Sequence, residues 1–124
     1  MQRRITAALF VILLASCGSF RLFEMQEQDT LYFGTGRTNA APVSDAEWRD
    51  FVEHEVVPAF PGFTEMEGTG YWKGQREAAH MIIVVHPQSG EDNGKIQHII
   101  DEYKSRFQQE AVFWTKGTVH VPMD

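Results

Sequence analysis

The sequence predicts an α+β domain in which two helices lie on one face of a four-stranded antiparallel sheet, in the order β-α-β-β-α-β. Three observations predict it. Apolar residues recur at helical spacing in two segments, at 48–56 and 96–107. Stretches rich in β-branched and aromatic residues flank each of them. Pro58 and Pro87 stand where the periodicity changes, one ending a helix and the other a strand.

The elements follow in order. Leu31-Tyr32-Phe33-Gly34-Thr35-Gly36 reads as a short strand, and 37–43 as a loop containing Pro42. Ser44-Asp45-Ala46-Glu47 fits a capping box, the Ser44 hydroxyl accepting from the Glu47 amide while Glu47 reaches back. Trp48, Phe51, Val52 and Val56 then form the apolar stripe of a helix that stops before Pro58. Residues 59–62 make a turn. Along 63–72, Thr64, Met66, Gly68, Gly70 and Trp72 alternate with Glu65, Glu67, Thr69 and Tyr71, which suits an edge strand. Residues 73–79 link it to the clearest strand, 80–86, and 88–94 form a second loop. Ile96, Ile99, Ile100, Tyr103 and Phe107 mark the second helix. A last strand over about 111–121 should bend or bulge near Gly117. This order is the split-βαβ arrangement called ferredoxin-like.

The third strand is apolar on both sides, with Met81, Ile83 and Val85 pointing one way and Ile82 and Val84 the other. Helices cover only one face of such a sheet, so the other needs a cover of its own. A second copy of the chain, packed sheet to sheet, is the expected one; the tether and loops folded over the face are the alternative.

Ahead of the domain stands MQRRITAALFVILLASC, with a basic start, an apolar run, and small residues leading to the only cysteine. The run is far shorter than the ~20 residues of a membrane-spanning helix, and the layout is that of a cleaved signal peptide. Its ending resembles the bacterial lipobox, which implies that Cys17 becomes the lipidated first residue. Residues 1–16 are then the leader, 17–29 a lipidated tether, and 30–124 a single α+β domain. Gly18, rather than Asp, follows the cysteine, which favours the outer membrane, facing the periplasm, over the inner one.

The chain carries a formal net charge of −6, and both leader charges, Arg3 and Arg4, are positive, so the mature part is more acidic still. Such a surface excludes nucleic acid as a partner, because a basic face supplies most of that affinity. It also repels anionic head groups, which leaves the lipid to hold the protein at the membrane. With Cys17 acylated, no thiol remains for a disulfide, a thiolate metal site or a nucleophile.

Residues that could carry chemistry are few. His54-Glu55 opens an H-E-x-x-H pattern, but Pro58 stands where the second histidine belongs. His80 and His86 share a strand face some ~20 Å apart, too far for one metal. His86 could meet His120 or Glu65 across neighbouring strands, yet no close-spaced ligand pair supports a metal site, and none is expected. Tyr71, His86, Trp114, Lys116 and His120 could line the open sheet face, either as a small-molecule cavity or as a dimer interface. Arg37 could hold a carboxylate or phosphate bidentately, or pair with a surface carboxylate. Gly34-x-Gly36 lacks the third glycine of a phosphate loop and is better explained by close backbone approach beside the sheet. No catalytic residue is identified, and no cofactor is expected beyond the lipid on Cys17.

Several longer segments carry a resemblance: Leu31-Tyr32-Phe33-Gly34, the stretch 43–48 with Phe51, 57–64, Gly70-Tyr71-Trp72, Val84-Val85-His86-Pro87, and 103–112. Together they resemble a family of small bacterial lipoproteins known as domain of unknown function 3574, over residues 31 to about 121. The resemblance implies a lipobox and one compact domain, and brings no functional residues with it. The resulting expectation is an envelope lipoprotein whose domain is a non-enzymatic interaction module, acting through itself or a protein partner in the envelope. The alternative is a small-ligand-binding or cofactor-free enzymatic module resembling dimeric α+β-barrel proteins.

Overall fold

The computed structural model describes residues 23–123. Four strands, β1 (Phe23–Gly34), β2 (Thr64–Trp72), β3 (Gln75–His86) and β4 (Phe113–Pro122), form one antiparallel sheet in the order β2-β3-β1-β4. Helix α1 (Asp45–Phe51) follows β1 and α2 (Gly90–Phe107) follows β3. This is the ferredoxin-like order that the periodicities predict, with β2 at an edge.

Helix α1 begins where its capping box requires: Ser44 Oγ accepts from the Glu47 amide at 3.1 Å, and Glu47 accepts from the Ser44 amide at 2.9 Å. It widens into a π-helical turn over Val52–Val56, closed by the Val57 amide on the Val52 carbonyl, before Pro58 ends it. Helix α2 starts at Gly90, inside the stretch 88–94 expected to be loop. Ser89 caps it by accepting from the Asp92 amide, and Glu91 and Asp92 complement the dipole of its first turn. Glycines 90 and 94 fall in the opening turns, where they do not break the helix.

Three further boundaries differ from expectation. Strand β1 starts at Phe23, well before Leu31, so residues 23–29 of the segment read as tether belong to the sheet. Polar residues in this stretch hid the strand, yet it pairs with β4 along nearly its whole length, from Phe23 opposite Pro122 to Tyr32 opposite Phe113. Residues 73–79 are mostly strand, because Lys73 (φ 48°) and Gly74 (φ 78°) make a two-residue hairpin turn joining Trp72 to Gln75. Positive φ at both positions matches the twist of the flanking strands. Finally, β4 runs in unbroken register past Gly117, which sits opposite Gln28 without a bulge.

The core lies between sheet and helices. Phe33 contacts Trp48, Phe51 and Tyr103 at ring-centroid distances of 4.8–6.0 Å, and Phe107 closes the cluster. Edge-on arrangements of this kind add stability beyond area burial. The buried Tyr103 donates its hydroxyl to the Gly34 carbonyl at 2.6 Å, tying α2 to β1. The opposite face of the sheet bears Tyr32, Met66, Met81, Ile83, Val85 and Phe113, all half-buried or exposed.

Candidate functional site

Strand alternation decides where each candidate side chain goes. On β3 the buried residues are His80, Ile82, Val84 and His86, so both histidines lie beneath the helices. Trp114 stands opposite the buried Leu31, and Lys116 opposite the buried Asp29. His86, Trp114 and Lys116 therefore do not line the open face. His120 is exposed opposite Met25, in register with the same side, and does not meet His86.

What gathers His86, Trp114 and Lys116 is Asp29, a residue that falls in the segment read as tether. Its carboxylate is fully buried and accepts from the Trp114 indole at 2.6 Å, from Lys116 Nζ at 3.0 Å and from His86 Nε2. Burial pushes the Asp29 carboxyl up, but these three donors and the Lys116 charge outweigh it and hold the group below its ordinary value. His86 Nδ1 lies 2.7 Å from the Pro87 carbonyl oxygen. Both ring nitrogens thus sit within hydrogen-bond distance of oxygen atoms. Asp29 shares the parity of Leu31 and Phe33, a signal that becomes readable only once β1 is known to extend back past it.

Glu27, Asp29 and His86 bring three donor atoms within 4.8 Å of one another, a spacing that could suit a metal ion. The Lys116 ammonium already bridges the two carboxylates, 2.8 Å from Glu27 and 3.0 Å from Asp29, with Asn93 at 2.7 Å. This arrangement clamps β1, β3 and β4 to the start of α2. None of these residues lines the groove of about 730 Å³ at the hairpin end.

The remaining two candidates, Arg37 and Tyr71, line a groove of about 730 Å³ at the hairpin end of the molecule. The β2–β3 hairpin forms one side with Tyr71 and Trp72, and the chain around Phe113 forms the other. Arg37 does not offer a free guanidinium there: it pairs with Glu47 at 3.1 Å and donates to the Ala41 carbonyl at 2.6 Å. Gly34 and Gly36 serve close approach, as the spacing suggests. A Cβ at either would stand 2.5 Å from a carboxylate oxygen of Glu77, and the Gly36 amide donates to that carboxylate at 2.6 Å. Glu65, a possible partner of His86, instead accepts from the Trp48 indole. Cys17 and the leader lie outside the described residues.

Fold and groove together define a ferredoxin-like α+β domain whose aromatic-walled recess takes in Tyr32, Met81 and Phe113 at one end of the half-apolar sheet face. The chain belongs to the family described as Protein of unknown function (DUF3574), whose model matches residues 28–122. Among solved structures it is similar to a phage SAM lyase. The apo form is 18% identical with a TM-score of 0.59, covering 81% of this chain and 91% of that one. The form in complex with S-methyl-5′-thioadenosine is 19% identical with a TM-score of 0.54, covering 79% and 90%. A putative PII-like signalling protein from Thermus thermophilus is 15% identical with a TM-score of 0.49, covering 81% and 91%. No curated protein matches the sequence.

Proposed function

We propose that this chain is a lipid-anchored domain of the bacterial envelope, held by Cys17 and facing the periplasm, that acts by association with a second copy through the open face of its sheet. One observation carries the reading. The helix-free face presents Tyr32, Met66, Met81, Ile83, Val85 and Phe113, with Phe113 67% and Val85 40% exposed. Apolar residues on the two central strands of a sheet are costly to leave in water, and sheet-to-sheet packing removes that cost. The Asp29–His86–Lys116 arrangement, with Asp29 and His86 buried, supports the non-catalytic side of the reading, because its polar groups are spent on one another.

The test is disulfide trapping in the full chain, which has no thiol besides Cys17. Val85→Cys and Thr30→Cys, both on the open face, are expected to give covalent dimers in the oxidising envelope. Glu53→Cys, exposed on the helical side, is expected to stay monomeric. Equal trapping at all three positions, or none at the first two, overturns the reading.

A second reading, a small-ligand-binding module, is favoured by the groove between the hairpin and Phe113. A phage SAM lyase of the same fold holds S-methyl-5′-thioadenosine, a small nucleoside thioether.

A further inference from the structure

The groove at the hairpin end has a floor of small residues and aromatic walls. Gly34, Gly68, Gly70 and Ala79 line it without bulk, and a Cβ on Gly68 would already press on Met81 at 3.1 Å. Tyr32 and Phe113, 5.6 Å apart, rise on one side, and Tyr71 and Trp72 on the other. A floor of this kind lets a planar group lie against backbone, and the π faces around it attract positive charge.

The charges at the groove are arranged with one left over. Arg37 is matched by Glu47 at 3.1 Å, and Lys73 by Glu110 at 2.9 Å. Glu77, the remaining charged side chain of the recess, has no such partner among the described residues. One of its oxygens accepts from the Gly36 amide; the other meets no donor among the described residues. Two glycines are required to seat that carboxylate, since a side chain at either position would displace it.

From these relationships we propose that the groove binds a planar organic cation or amine, its ring between the aromatic walls and its charged nitrogen on Glu77. This rests on the ligand-binding reading given above and adds the ligand's chemical class. Both halves of the recess contribute: the aromatic walls hold a ring, and the unmatched carboxylate selects its charge. The net charge of −6 draws cations toward the surface in the same sense.

The probe pair is phenethylamine and phenylacetate, which share a ring and differ in the sign of their charge. Titrations use the full chain in a neutral detergent, followed by calorimetry and by tryptophan fluorescence, since Trp72 is half-exposed in the groove. Phenethylamine is expected to bind at least about tenfold more tightly than phenylacetate, a ratio equal to ~1.4 kcal/mol. Glu77→Gln keeps an oxygen acceptor for the Gly36 amide and is expected to abolish the discrimination. Trp72→Ala, at an exposed position, is expected to weaken phenethylamine binding while leaving the preference in sign. Equal binding of the two probes overturns the cation assignment and leaves the ligand-binding reading standing. Binding of neither, up to about 10 mM, a Kd that corresponds to only ~3 kcal/mol, overturns both. Discrimination that survives Glu77→Gln also overturns the assignment.

Discussion

The imidazole of His80 lies flat on the indole of Trp48, ring centroids 4.2 Å apart and planes 6° from parallel. The stack is buried, and His80 Nδ1 has no hydrogen-bond partner among the described residues. Burial holds this histidine below its ordinary value, against the pull of Glu67, Glu65 and Asp45. The unfolded chain therefore binds the proton more tightly than the folded one. Stability is full above the ordinary value of 6.5 and declines as pH falls from there toward the folded-state value. Urea unfolding between about pH 5 and 8 should show this slope, and His80→Phe, which keeps a ring against Trp48, should flatten it. An unchanged slope in the variant would count against the assignment.

Asp29 acts in the opposite part of the pH range. Its folded-state value lies below 3.8, so its stabilisation is present above 3.8 and lost as pH falls through the folded value. Asp29→Asn removes the counter-charge of Lys116 and deprives the Trp114 and His86 ring nitrogens of a shared carboxylate partner, a loss of about 1–3 kcal/mol for a buried hydrogen-bonding group left unsatisfied. Chemical denaturation at neutral pH should register that loss. The fall in stability at acid pH should be smaller in the variant, which keeps only the shares of Glu47, Asp92 and Glu110.

Gly34 and Glu77 form a pair in which one residue's absence of a side chain seats the other. Gly34→Ala should push the Glu77 carboxylate away and forfeit the Gly36 hydrogen bond, for a loss of about 1 kcal/mol. In a Glu77→Ala background the same substitution should cost much less. A double-mutant cycle measures the difference, and strict additivity would show that the two do not interact.

The capping box of α1 gives a simpler expectation. Ser44→Ala removes the acceptor of the Glu47 amide and should destabilise the fold by about 1 kcal/mol. Thermal or urea unfolding of the single variant checks it.

Lipidation at Cys17 is tested in cells. Cys17→Ser should abolish incorporation of labelled palmitate and move the protein from the membrane to the soluble fraction. Membrane retention without label would point to another anchor.

Much of this molecule is legible in the residue order. Both helices and their stripes follow from spacing that any reader can count. Ser44 and Glu47 declare the start of α1 three residues apart, and the role of Gly34 and Gly36 in close approach follows from their position beside a strand. The dual apolar character of residues 81–85 announces a sheet face without helices, because alternation assigns sides before any fold exists.

The site is another matter. Strand β1 begins at Phe23 because β4 offers a continuous partner, and pairing with a distant strand leaves no mark on a polar stretch such as 24–29. The Lys73–Gly74 turn and the glycines of early α2 likewise look like breakers until their partners are in place. Asp29, His86, Trp114 and Lys116 are far apart in the chain, and only the register of β1 with β3 and β4 brings them together. Local spacing determined the elements, their capping and their faces, because those depend on neighbours a few residues away. Tertiary pairing alone decided which charges are matched, and among the described residues it left Glu77 as the open carboxylate beside the aromatic rings of the groove.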